Sequence, residues 1–460
     1  MQSDRGHWGS STGFILAATG SAIGLGNLWR FPYITWENNG GAFVLVYLLC
    51  VAAVGMPIMM AEFLIGRRTQ KSTVGALREC AGPLWGIFGV WGVLCAFLLL
   101  SYYTVIAGWS LYYFARTAAW SAAGYPGLAT GDLFQAQVGN AGLQLVLSLG
   151  FSVATVAVVW FGVREGIERL ARVSLPILFG ILLLLLVSAL GMSGSGQAFG
   201  FLFQASFAEL EAGSMLSALG HSFFSLSVGM GAMITYGSYL SRKQSIVKAS
   251  AAIVALDTGI AIVASIIMFS VIFSVAGMTE QVGASPVGML FISLPELFYT
   301  EVPFGALLAP LFYILVAVAG LTSTISLLEV VTAYLIDEHA VERHRATLLS
   351  GAAVFVFTIF AALSFSGTPF FSSLAVFANK TGWFETVDHF VSNIMLPTGG
   401  LAVTLAAGWF ISRRVSHGEL VDGNEPGWFR YGLWLGFIRF VAPAAVLAII
   451  IAVLLGADFS

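Results

Sequence analysis

Apolar runs about twenty residues long succeed one another along the whole chain, and nothing else in the sequence limits the fold as much. A helix of about 20 residues matches the hydrocarbon thickness of a bilayer, and in lipid only helices or closed barrels satisfy their own backbone. Eleven spans are expected, at roughly 12–36, 42–66, 86–117, 143–161, 167–190, 214–240, 247–276, 304–336, 347–364, 387–411 and 432–455. Only 9% of the residues are charged, against about 25% in soluble domains. The fold class is therefore an all-α, polytopic membrane protein, with residues 1–460 as one bilayer-embedded unit. Residues 286–299 are too short and polar to span and read as a re-entrant or surface helix. The polar first ten residues carry no small-residue cleavage site, so no removable signal peptide is expected.

Basic residues alternate with the spans. Arg5; Arg67, Arg68, Lys71 and Arg78; Arg164, Arg169 and Arg172; Arg242, Lys243 and Lys248; Arg343 and Arg345; and Arg413, Arg414 and Arg430 fall on one side, 16 of the 20 Lys and Arg. The other side holds Arg116, Lys380 and mostly acids, such as Asp132, Glu209, Glu280 and Glu301. By the positive-inside bias, the amino terminus is cytoplasmic and eleven spans put the carboxyl terminus outside. Cys50 and Cys95 fall in apolar spans and Cys80 in a polar loop, so no disulfide framework is implied. The net charge of -3 says nothing about partners, because so few charges face water. The expected partners are the lipid bilayer and a small molecule, not nucleic acid.

The first span is unusual. Residues 20 to 31, Gly20-Ser21-Ala22-Ile23-Gly24-Leu25-Gly26-Asn27-Leu28-Trp29-Arg30-Phe31, put three glycines, an Asn and an Arg at membrane depth. Glycine weakens a helix by about 1 kcal/mol relative to Ala, and an Arg at bilayer depth costs about 2.5 to 3.5 kcal/mol on insertion scales. Non-helical backbone is tolerated there only where protein buries it or it lines a cavity. The stretch reads as a helix broken around a polar ligand, with close glycine packing as the alternative. A second interruption, Ser225-Leu226-Ser227-Val228-Gly229-Met230-Gly231, lies five spans later. Matched interruptions in two halves point to a transporter site between inverted repeats. The repeats would be about 12–190 and 214–411, with 432–455 added outside the symmetry.

Unwinding frees carbonyls that small cations can take, here at Gly20, Ala22 and Ile23, with Asn27 adding an amide oxygen. Half-helix amino ends attract carboxylates. Thr322 and Ser323, after Gly320, offer hard oxygens suited to alkali cations, or bond back to their own helix. Asp257 is an intramembrane carboxylate and needs a partner, which a cation would supply. Glu62 is expected to accept hydrogen bonds from amides exposed at the breaks, and Glu329 has no assigned role. The sequence has no HExxH and no GKS or GKT phosphate loop, so neither an enzyme nor ATP-driven transport is expected.

These residues resemble a known family, the neurotransmitter:sodium symporters. The resemblance runs through R-G-H-W at 5–8, the 20–33 stretch, N-N-G-G-A-F at 38–43, Ser101-Tyr102-Tyr103, Gly166-Ile167-Glu168-Arg169, Phe223-Phe224-Ser225-Leu226-Ser227 and Ala319-Gly320-Leu321-Thr322-Ser323. The length resembles the eleven-span bacterial members, which implies the 5+5 inverted-repeat (LeuT-like) fold with discontinuous helices 1 and 6. It also implies location in a bacterial inner (plasma) membrane.

The resemblance implies two sodium ions beside a substrate. The first would be held by Ala22, Asn27, Ser225, Asp257 and the substrate carboxylate. The second would take Gly20, Ile23 and Ala319 carbonyls and the Thr322 and Ser323 hydroxyls. An amino acid would rest its carboxylate near the Leu25 and Gly26 amides and Tyr103. Its ammonium would meet Ala22, Phe224, Ser225 and Ser227, and its side chain Ser21, Leu99, Tyr103, Phe224, Met230, Ser323 and Leu327. Monoamine members carry an Asp where this chain has Gly24, so neutral, hydrophobic or aromatic L-amino acids are expected instead. Asp257 stands where chloride-requiring members have Asn, and Ala261 offers no hydroxyl, so no chloride requirement is expected. His221 replaces a usual Gln and is expected to be neutral and hydrogen-bonded, with pH sensitivity near its pKa of about 6.5 as the alternative.

Gates follow the same resemblance. Arg30 with Asp388, or Glu385 in a shifted alignment, would close the outside, with Tyr103 and Phe224 as a lid. Arg5 and Asp337, with Trp8 and Tyr239, would close the inside, and Gly166 and Pro176 would bracket a stretch that opens a water path. The reading is sodium-coupled symport by alternating access. The competing reading is a sodium-dependent amino-acid sensor in the same fold.

Overall fold

The computed structural model describes residues 6–127, 130–275, 288–377, 380–421 and 425–458. Among them all regular structure is helical. The first span divides into α1 (Ser11–Ala22) and α2 (Phe31–Glu37), joined by an irregular stretch and a wide π-type turn at Gly26–Arg30. Four continuous helices follow, α3 (Gly41–Thr69), α4 (Pro83–Ala123), α5 (Ala141–Trp160) and α6 (Val163–Leu190). The expected sixth span divides into α7 (Ala212–Ser225) and α8 (Ala232–Ser238). Five more continuous helices complete the set: α9 (Ile246–Ser274), α10 (Gly305–His339), α11 (Arg343–Phe365), α12 (Trp383–Phe410) and α13 (Tyr431–Leu454). The nine continuous helices are each long and apolar enough to cross a bilayer.

Composition decides which helices lie inside. The most apolar window of α10 is 78% buried, whereas those of α5 and α13 are only 28% buried. Around its middle α10 carries the small residues Ala317, Ala319, Gly320, Ser323 and Ser326, which let neighbouring backbones approach; its most extensive partner is α4. The outer helices turn Leu, Val and Ile to the surroundings, among them Val146, Leu183, Val187 and Leu447.

Both breaks have local causes. Helix α1 starts on Ser10, whose hydroxyl accepts from the Gly13 amide at 2.8 Å, and stops at Ile23, which turns extended. After α7 the chain passes through positive φ at Ser227, Gly229 and Gly231, so no helix can continue. At Gly229 a side chain is also excluded by space, since a Cβ would lie 2.3 Å from the Leu396 carbonyl oxygen.

Between the spans the structure differs from expectation. Short helices Thr73–Ala81, Ser195–Phe203 and Arg413–Leu420 occupy stretches read as loops. Cys80 accordingly lies in a helix, where burial pushes its thiol up to about 11. Pro286 and Val287 lie outside the described residues. The rest of that segment is helical over Met289–Ser293 and Leu294–Thr300, and the Tyr313 hydroxyl of α10 donates to the Leu290 carbonyl at 2.8 Å.

Candidate functional site

The two breaks face each other in the interior. The Ser227 hydroxyl donates to the Ser21 carbonyl at 2.9 Å, and the Ser21 hydroxyl to Ser326 at 2.7 Å. Between them lies a cavity lined by Ser21, Ala22, Gly24, Gly26, Leu99, Tyr103, Phe224, Ser225, Ser227, Met230, Ser323, Ser326 and Leu327. These include every residue expected to touch substrate except Leu25, whose amide donates to the Tyr103 hydroxyl at 2.8 Å. Ser326 is the one addition; it sits three residues after Ser323, on the same α10 face. None of the lining side chains is charged. Leu99, Phe224, Met230 and Leu327 supply apolar wall, and the serines and freed backbone supply polar wall.

Beside the cavity, Asn27, Ser225 and Asp257 form a closed cluster. The Asn27 amide nitrogen donates to Asp257 Oδ1 at 2.7 Å, and the Ser225 hydroxyl to Asp257 Oδ2 at 2.8 Å. Asn27 Oδ1 accepts from the Gly24 amide at 3.1 Å, and the Tyr47 hydroxyl reaches Ser225 at 3.3 Å. Asp257 is fully buried, and among the described residues it has no Lys or Arg partner. A buried charge of that kind is costly unless paired. Asn27 turns its amide nitrogen toward the carboxylate and its oxygen toward the Gly24 amide, so of the expected oxygen ligands only the Ser225 hydroxyl bonds directly to Asp257.

A second oxygen cluster joins α1 to α10. Ser323 Oγ lies 3.3 Å from the Ala319 carbonyl oxygen, 3.3 Å from that of Ser21 and 3.4 Å from that of Ile23. Thr322 Oγ1 lies 3.0 Å from the same Ala319 oxygen. Gly20 packs against Thr322 so closely that a Cβ would come within 3.1 Å of the threonine Cβ. All five residues expected around the second cation are thus brought together.

Two other polar groups surround the breaks. Glu62 accepts from the Gly229 amide at 2.6 Å and the Ile234 amide at 3.3 Å. These are amides freed by the second break, as expected for it. His221 differs from expectation: among the described residues neither ring nitrogen has a hydrogen-bond partner. Its ring instead stacks on Phe31 at 5.6 Å and meets Tyr47 at 5.6 Å.

On the side of the cavity expected to face outward, the Arg30 guanidinium lies 4.7 Å from the centre of the Phe224 ring. Asp388 accepts from the Tyr102 hydroxyl at 2.7 Å and from Ser392 at 3.1 Å. Glu385 turns away, accepting from the Thr381 amide at 2.9 Å. On the side expected to face inward, Arg5 lies outside the described residues, and Asp337 accepts from the Ser72 amide at 2.5 Å. Trp8 Nε1 donates to the Tyr236 carbonyl at 3.0 Å, and the Trp8 amide to that of Tyr239 at 3.4 Å. The Tyr239 hydroxyl donates to Glu329 at 2.6 Å, and Glu329 pairs with Arg343 at 2.6 Å. Glu329, unassigned in the sequence, is therefore the centre of a buried cluster on that side of the cavity. A further latch is Glu168, which accepts from the Gly9 amide at 2.6 Å and from Ser10 at 3.2 Å and pairs with Arg172.

Two broken helices meeting at one uncharged cavity, with oxygen clusters beside it and closed contacts on either side, define a secondary transporter for a small solute. The comparisons narrow the class. The family model described as the sodium:neurotransmitter symporter family matches residues 5–123 and 132–457, and the chain belongs to that family. It is 35% identical to the uncharacterised sodium-dependent transporter YhdH of Bacillus subtilis, over 96% of each chain. It is 28% identical to the sodium-dependent transporter MJ1319 of Methanocaldococcus jannaschii, over 97% of this chain and 90% of the other. Among solved structures, the crystal structure of MhsT in complex with L-phenylalanine superposes with a TM-score of 0.88 at 36% identity, covering 97% of this chain and 99% of that one. The protein is a sodium-dependent, multi-pass membrane transporter and not an enzyme.

Proposed function

We propose that the chain imports neutral, hydrophobic or aromatic L-amino acids with two sodium ions and without chloride, across a bacterial plasma membrane, its amino terminus cytoplasmic. The observation that carries this reading is the lining of the cavity, which has Leu99, Phe224, Met230 and Leu327 but no charged side chain. Gly24 supports it by leaving no room for a carboxylate that would pair with an amine, since even a Cβ would lie 2.6 Å from the Tyr103 hydroxyl. The substrate's own carboxylate then completes the first sodium site. MhsT, similar along nearly its whole length, was crystallised with L-phenylalanine.

The first sodium takes Ala22, Asn27, Ser225 and Asp257, and the second takes Gly20, Ile23, Ala319, Thr322 and Ser323. Asp257 brings a permanent negative charge to the first site, the charge that chloride would otherwise supply. Residues 12–190 and 214–411 act as two opposed halves rocking about these sites, with 432–455 outside the pair. Sodium holds the outside open, substrate closes Tyr103 and Phe224 beneath Arg30 and Asp388, and loss of the second sodium opens the inside. A membrane potential supplies about 2.3 kcal/mol per charge per 100 mV, so two sodium ions sustain accumulation.

Uptake into proteoliposomes tests the reading. Labelled phenylalanine or leucine should accumulate against its gradient when sodium is imposed outside, equally well in chloride and in gluconate. Betaine, γ-aminobutyrate and monoamines should not compete. Loss of uptake in gluconate would end the chloride-independent reading, and preference for an amine would end the substrate class. Binding of sodium and amino acid without accumulation would favour a sensor.

A further inference from the structure

Arg439 takes no part in the site described above. It lies in α13, eight residues after Tyr431 begins that helix, which is about 12 Å along the axis at 1.5 Å per residue. Its Nε donates to the Gly408 carbonyl at 2.6 Å, in the wide turn Ala406–Phe410 that ends α12. Its guanidinium carbon lies 5.4 Å from the centre of the Trp409 ring. These two contacts hold the side chain at a fixed depth, so it is not free to swing wholly into water. Among the described residues Arg439 has no carboxylate partner, and neither Nη makes a hydrogen bond.

The surroundings indicate what would reach those nitrogens. Trp409 and Phe440, on either side, are 55% and 62% exposed on spans that face lipid. Exposed aromatics of this kind mark the level of lipid headgroups. Just beyond the end of α12, Arg413 and Arg414 are exposed and have no acidic partner among the described residues. Glu419, the acid on that short helix, is taken by Arg67 at 2.9 Å. A partly buried guanidinium whose Nη groups make no hydrogen bond among the described residues, beside exposed aromatics and with two further arginines just past the end of α12, suits a phosphodiester that is itself anchored in the bilayer. Arginine binds phosphate through paired N–H donors, and basic residues beside a span select anionic lipid.

We propose that the ends of α12 and α13 form a binding site for an anionic phospholipid, with its phosphate on the Nη groups of Arg439 and its net charge facing Arg413 and Arg414. A free phosphate ion is the wrong source, because the aromatics flanking Arg439 are exposed on spans that face lipid. The site is independent of the amino-acid pocket.

Native mass spectrometry of the detergent-purified full chain tests this with phosphatidylglycerol, phosphatidylcholine and inorganic phosphate as probes. Phosphatidylglycerol should be retained at least fivefold more than phosphatidylcholine, and inorganic phosphate should not displace it. Arg439→Gln should abolish that preference, and Arg413→Gln with Arg414→Gln should reduce it severalfold. Should Arg439→Gln not purify as a folded protein, fluorescence quenching on otherwise unaltered protein serves. Brominated phosphatidylglycerol should then quench more than brominated phosphatidylcholine, with the excess lost in Trp409→Phe. Equal retention of the two lipids, displacement by phosphate, or an unchanged preference in folded Arg439→Gln would overturn the proposal.

Discussion

At the scale of single residues, close approach and charge decide the site. Gly24 does not need positive φ; it needs the absence of a Cβ, which would meet Tyr103 Oη at 2.6 Å and Ser323 Oγ at 2.7 Å. Gly24→Ala should therefore fold normally but bind amino acid at least about tenfold more weakly, a loss of about 1.4 kcal/mol. Equilibrium binding with a thermal melt as control checks both halves of that statement. Asp257 is the ionisable member of its cluster, held by Asn27 and Ser225 at 2.7 and 2.8 Å. Hydrogen bonds to charged groups are worth about 1.5 to 3 kcal/mol, so Asp257→Asn should move the sodium dependence of uptake upward by about ten- to a hundredfold. An unmoved sodium curve would remove Asp257 from the cation site. Glu62 makes a different case, because its two oxygens serve two amides. An amide side chain offers only one acceptor, so Glu62→Gln should cost about 1 to 3 kcal/mol of stability, read as a lower melting temperature.

At the scale of elements, the interrupted helices were legible because glycine and charge at membrane depth are costly unless the backbone opens there around something polar. Both the 20–31 break and the 225–231 break fall where the composition put them. Helices such as Thr73–Ala81 and Arg413–Leu420 were not legible. They are short, polar-faced segments between spans, where tertiary contacts such as Arg67 with Glu419 decide the outcome. Glu329 stayed unassigned for a related reason: its partner Tyr239 is 90 residues away, and Arg343 belongs to the next helix. Helix α6 combines both kinds of signal. Its wide first turn, Val163–Glu168, is held to the amino-terminal segment by Glu168, and Pro176 interrupts the ladder within the helix. Proline offers no N–H to the carbonyl four residues before it, so α6 can unwind there at little cost. Pro176→Ala should slow maximal uptake severalfold while leaving amino-acid affinity unchanged, because it stiffens the moving element and not the pocket. Equal maximal rates would place the opening elsewhere.

At the scale of the whole molecule, transport needs a closure that is stable yet breakable, and the inner cluster has that character. Glu329 is wholly buried, with Arg343 on one oxygen and Tyr239 on the other, while Trp8 bonds the backbone at Tyr236 and Tyr239. The cluster ties α8, α10 and α11 together beneath the cavity. Removing one member of a buried pair costs about 3 to 5 kcal/mol, because the remaining charge is left unpaired. Opening to water on that side would hydrate the orphaned carboxylate, so Arg343→Ala should favour the inward-open state by about a hundredfold or more, at 1.4 kcal/mol per factor of ten. Removing both charges, in Arg343→Ala with Glu329→Gln, leaves nothing unpaired and should restore much of the closed population. The measurement is the rate at which a thiol reagent modifies Thr235→Cys, a buried position, in a background lacking Cys50, Cys80 and Cys95. Arg343→Ala should react at least tenfold faster than the parent in sodium-free buffer, and the Arg343→Ala, Glu329→Gln pair should fall between them. If the two react alike, the cluster contributes contact but no charge-driven closure, and the inner gate must be sought around Asp337 and Ser72 instead.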